Sequence, residues 1–120
     1  MSMPKAVVDD ATRDALAGFA VGDVLTGTID LREAEQQRSG LAPVTFGLVK
    51  IAALIALDSP PASFLWQIAS ALDAGATPAE IFGVLRAVAP QVGGPKITAA
   101  APEIMVALGL SLPAERNSVI

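Results

Sequence analysis

Prolines and glycines punctuate this chain as helix starts and stops, and that constrains its fold more than any other feature. Pro43, Pro60, Pro78 and Pro95 each stand at the head of a helix-forming stretch. The first turn of a helix has no internal acceptor for its N–H groups, so a missing donor is harmless there. Gly22, Gly40 and Gly75 stand where such stretches end, the position at which a helix turns into left-handed backbone. The clearest start is "TPAE": Thr77 caps, Pro78 enters and Glu80 reaches back.

Six helices are expected from this punctuation. The first runs from about Asp9 to Ala20. A short polar one lies in "IDLREAEQQRSG", with Asp30 as cap and Glu33 three residues on. "PVTFGLVKIAALIAL" is a long apolar helix from Pro43. "SPPASFLWQIASALDAG" has Ser59 as N-cap and Pro60 at the first position. The helix after Thr77 runs to about Ala89, before Pro90. The last starts near Pro95, and Pro102 is expected to kink or split it. No two-residue alternation persists, so strands are not expected. The fold class is therefore all-α, a single domain over 1–120 with short connections and antiparallel neighbours and a frayed tail after Leu112.

Charge narrows the function. The net charge is −4 and no Lys or Arg cluster exists, which argues against a nucleic-acid partner. No basic amphipathic helix marks a membrane surface. The longest uncharged run, Ser59 to Leu72, is shorter than the roughly 20 apolar residues of a membrane span. "MSMPKAVVDD" turns acidic at once, unlike a signal peptide, so the expected location is cytoplasmic. There is no Cys and no His, which removes thiolate chemistry and the commonest general base and metal ligand. No metal or cofactor is expected. From Pro43 to Leu110 the charges are Lys50, Asp58, Asp73, Glu80, Arg86, Lys96 and Glu103, too few to cover the outside of several helices. Exposed apolar surface on that scale points to self-association with closed symmetry.

The candidate site residues cluster on the fourth helix. Phe64, Ile68 and Leu72 repeat every four residues as a core stripe, widened by Leu65 and Ala69, while Ser63, Gln67 and Ser70 share one polar seam flanked by Trp66. That seam is either the helix's water side or the lining of a pocket between subunits. Lys50, mid-helix in an apolar run, is either a buried amine for Schiff-base or base chemistry or a lysine that snorkels to water. Asp58 and Asp73 read as helix-end residues. Arg86 and Lys96 either bind a carboxylate together or are solvated. "QVGGPK", residues 91–96, lacks the Walker spacing and reads as a close-packed helix connection.

"LVKIAALIAL", followed by a helix and then "ALDAGATPAEIFGVLRAVAPQVGGPK", resembles the carboxymuconolactone decarboxylase family, which includes the alkylhydroperoxidase D-like proteins. The likeness covers about Gly40 to Leu110. It implies an alkylhydroperoxidase D-like helical bundle assembled as trimers or hexamers. The family's hydroperoxidase branch carries C-x-x-C-x-x-x-H on the helix before the "LDAG" turn. The resemblance places Pro60 and Ser63 at the cysteines and Gln67 at the histidine, and Gln91 near a usual aromatic position. The preceding helix holds no acid for the family's relay. A glutamine donates and accepts hydrogen bonds but exchanges no proton near neutral pH, so thiol peroxidase activity is not expected.

Three functions stay open. The chain binds a small apolar or aromatic molecule near Ser63, Trp66, Gln67, Ser70, Lys50 and Gln91. Alternatively, it is a divergent lyase or isomerase acting on a small organic acid through Lys50 or Asp58. Alternatively, it is a non-catalytic structural homo-oligomer.

Overall fold

A computed structural model describes residues 6–20 and 31–113. It contains six helices and, among the described residues, no strand: α1 Asp10–Ala20, α2 Leu31–Ser39, α3 Pro43–Ala56, α4 Pro61–Asp73, α5 Pro78–Val92 and α6 Gly94–Ala107. The expected Gly22 stop and Asp30 cap lie outside the described residues, as do the Glu33 side chain and the tail beyond 113. The chain forms two compact units, residues 1–35 and 36–120. α1 belongs to the first, α3 to α6 belong to the second, and α2 runs across the boundary. No helix among the described residues is long and apolar enough to cross a membrane.

In the first unit, Asp9 caps α1: its Oδ1 accepts from the Thr12 N–H at 2.9 Å. In the second, Thr77 forms the full capping box. Its hydroxyl accepts from the Glu80 N–H at 3.1 Å, and Glu80 Oε1 accepts from the Thr77 N–H at 2.9 Å.

α4 begins one residue later than expected. Pro60 is held extended (φ −64°, ψ 158°) and serves as N-cap, and Pro61 takes the first helical position. The cause is local: a residue before proline is barred from the helical region, so in a Pro-Pro pair only the second enters. Ser59 thus stands one residue before the cap, and its N–H closes the end of α3 on the Leu54 carbonyl at 3.2 Å.

The prolines inside the last two helices do not end them. α5 continues past Pro90 to Val92, and α6 is not split at Pro102. The carbonyls left without that donor belong to Arg86 and Thr98, both exposed residues, where water can take its place. α5 and α6 are joined by Gly93 alone, at φ 88°.

The core lies where α3 packs on α4, α5 and α6, and α6 on α4 and α5. Ile51 and Ile55 of α3 meet Phe64, Ile68 and Ala71 of α4, with Ile81 and Leu85 of α5 and Ala100 and Ile104 of α6. Gly47 lets α3 approach α4 closely, since a Cβ there would lie 3.1 Å from the Ala71 Cβ.

Candidate functional site

The buried face of α4 is Phe64, Gln67, Ile68 and Ala71, an i, i+3, i+4, i+7 set. This face is rotated from the expected stripe. Leu65 and Ala69 face outward and Leu72 is half-buried, whereas Gln67 is only 8 % exposed. A strict four-residue step drifts around a helix of 3.6 residues per turn, and this explains the shift. Gln67 therefore does not belong to a water side. No buried side-chain polar atom among the described residues lacks a hydrogen-bond partner. Ser63 and Ser70 flank that face half-buried, and Trp66 points outward, 66 % exposed.

The other candidates separate. Lys50 is half-buried with its Nζ 4.7 Å from the centre of the Phe46 ring, a contact that stabilises the charged ammonium. A Schiff-base lysine needs the neutral amine. Gln91 is exposed near the end of α5. Arg86 lies over the Phe82 ring at 5.6 Å. Lys96 is paired with Asp58 instead: Nζ to Oδ2 is 2.6 Å. Among the described residues no group of three or more His, Cys, Asp or Glu side chains is placed to hold a metal ion.

That ion pair marks a cavity of about 180 Å³ at the junction of α3 and α4, closed on one side by α6. Ile55, Phe64 and Ala100 form its apolar floor, and Asp58, Lys96 and Glu103 its charged rim; Ser59 and Ala99 complete the lining. α6 contributes Lys96, Ala99, Ala100 and Glu103, spaced i, i+3, i+4, i+7 on one face. The alanines leave room between the two charges. An apolar cavity of about 150 Å³ is large enough to accept benzene, so this one is of single-ring size. Its lining residues Ser59 and Phe64 are the chain neighbours of Pro60 and Ser63, where the resemblance puts the family's cysteines.

The backbone at Asp58 is unusual. Three helices end in the same motif, with the residue after the C-cap in left-handed backbone. α4 uses Gly75 at φ 107° and α6 uses Gly109 at φ 78°. In both, the following N–H reaches back five residues: Ala76 to the Ala71 carbonyl and Leu110 to the Met105 carbonyl, each at 2.9 Å. α3 makes the corresponding Ser59-to-Leu54 bond, but its left-handed residue is Asp58, at φ 52°. Asp58 is the sole non-glycine with positive φ among the described residues. A strained position occupied by a charged residue on a cavity rim is a feature of functional sites.

Sequence reasoning singled out Asp58 without its partner and missed Glu103. Two signals pointed to them: a helix stop without glycine in "IALD", and the Lys-x-x-Ala-Ala-x-x-Glu face of α6. No curated protein and no solved structure matches the chain significantly. The sequence model of the carboxymuconolactone decarboxylase family matches residues 22–104, well over half of the chain and the whole of α3, α4 and α5. The chain belongs to the carboxymuconolactone decarboxylase family.

Proposed function

We propose that this protein is a binding member of its family, without thiol chemistry, that takes a small organic molecule with an apolar body of about one ring into the cavity beside Asp58. The observation that carries this reading is the cavity itself: an apolar floor of Ile55, Phe64 and Ala100 under a rim of Asp58, Lys96 and Glu103. An apolar pocket with a few convergent polar groups is the usual form of a small-molecule site. Gln67, buried on the core face of α4, is assigned to holding that helix in place rather than to contacting ligand.

Benzyl alcohol is a suitable probe. Titration followed by NMR is expected to shift the Ala99 and Ala100 methyl resonances. Ala99→Leu extends an exposed residue of α6 into the cavity with little change in helix propensity. That variant should fold normally and lose binding. Unchanged binding would remove the cavity from the account.

A second observation favours self-association. Val49, Leu57, Leu65, Trp66 and Phe82 are all exposed large hydrophobic residues in the second unit, more than a stable monomer commonly displays in so small a body. The protein is read as a homo-oligomer that covers them. Sedimentation velocity should show a closed assembly that Trp66→Glu breaks into smaller species; a monomeric wild-type protein would refute this reading.

A further inference from the structure

The rim of the cavity carries two carboxylates and one ammonium, and they are unequally engaged. Lys96 is taken up by Asp58 at 2.6 Å. Glu103 also lines the cavity, half-buried, and makes no hydrogen bond or ion pair among the described residues. It stands seven residues from Lys96 on the same face of α6, about 10.5 Å along the axis at 1.5 Å per residue, and the ammonium is paired with Asp58 rather than with it. Two other cations of the second unit lie over rings, Lys50 on Phe46 and Arg86 on Phe82. The unanswered charge in the cavity is therefore negative and partly desolvated. A cation reaching it from water gains more than it would at an open surface. The chain's net charge of −4 adds a weak pull of the same sign.

We propose that this cavity selects small organic amines, with the ammonium at the Glu103 carboxylate and the apolar body over Ala99, Ala100 and Phe64. The Lys96–Asp58 pair stays closed and forms the opposite wall. Its ammonium hinders a second cation at that end, so the site takes a monoamine in one orientation. This assignment rests on the reading of the cavity as a binding site and adds the charge class of its occupant.

Three probes of nearly one shape separate the two claims: benzylamine, benzyl alcohol and benzoate, titrated at neutral pH and low salt into the full chain. Benzylamine is expected to bind at least tenfold more tightly than benzyl alcohol and to weaken as salt is added, with benzoate the weakest. Glu103→Gln should cost benzylamine about tenfold and leave benzyl alcohol unchanged. The three-probe series on the wild-type protein decides the matter even if that variant folds poorly. Equal binding of all three would overturn the amine assignment and leave the cavity standing. Tightest binding by benzoate would overturn it in favour of Lys96 as an anion-binding group. Binding by none of them would overturn both claims.

Discussion

Replacing Asp58 tests whether the end of α3 is strained for the sake of the cavity. The left-handed conformation costs an ordinary residue about 1–2 kcal/mol. Glycine escapes that cost but loses about 0.5–1 kcal/mol more backbone entropy on folding. The net preference for glycine at φ 52° is thus about 0.5–1 kcal/mol. Against this stands the ion pair with Lys96. Its side chains are 58 % and 35 % exposed, so solvent screening holds its worth to about 0.2–1 kcal/mol. Asp58→Gly should then change stability by less than about 1 kcal/mol in either direction, the two effects largely cancelling. Asp58→Ala keeps the strained backbone and loses only the pair, so it should destabilise by about 0.2–1 kcal/mol. Urea denaturation of the three proteins, with equal slopes, reads the difference from the midpoints. Equal midpoints for the Gly and Ala variants would mean that residue 58 is not held at positive φ.

Three further outcomes are expected from the packing and the caps. Ile68→Ala, at a fully buried position between α4 and its neighbours, should cost about 2–5 kcal/mol in urea denaturation; a loss below about 1 kcal/mol would contradict the described core. Thr77→Ala removes one arm of the capping box and should destabilise by about 1 kcal/mol, whereas Thr77→Ser should be nearly neutral. The Thr12 side chain, followed by its backbone N–H, holds the Asp9 carboxyl below its ordinary 3.8. The ionised cap therefore supports α1 above pH 3.8 and is lost as pH falls through the lowered value. The Thr12 amide resonance should report that transition, and titration of Asp9 at or above the ordinary value would contradict it.

Local chemistry was legible where it acts over a few residues. The Thr77–Glu80 box and the Gly75 stop are written in consecutive residues, and both formed as read. The Pro60–Pro61 pair displaced a helix start by one residue, because the rule for the residue before a proline outweighs the attraction of Ser59 as a cap. The face of α4 was less legible. The spacing places Gln67 with Ser63 and Ser70 on a polar seam, while the fold buries it beside Phe64 and Ile68. A glutamine with satisfied hydrogen bonds can enter a core, and a helical wheel carries no information about that satisfaction. The family resemblance and the helical class were carried by the "LDAG" turn and the capped helix after it. The cavity was not legible, because Asp58 and Lys96 meet across 38 residues of sequence. Only the packing of α6 against the α3–α4 junction brings Glu103 to the same rim.

A crystal structure of the protein grown with benzyl alcohol would show directly whether the cavity beside Asp58 takes a ring. The ring is expected against Phe64 and Ala100, with the Asp58–Lys96 pair intact at its edge. A cavity closed by the Lys96 or Phe64 side chain, or a ring bound elsewhere with this cavity empty, would contradict it.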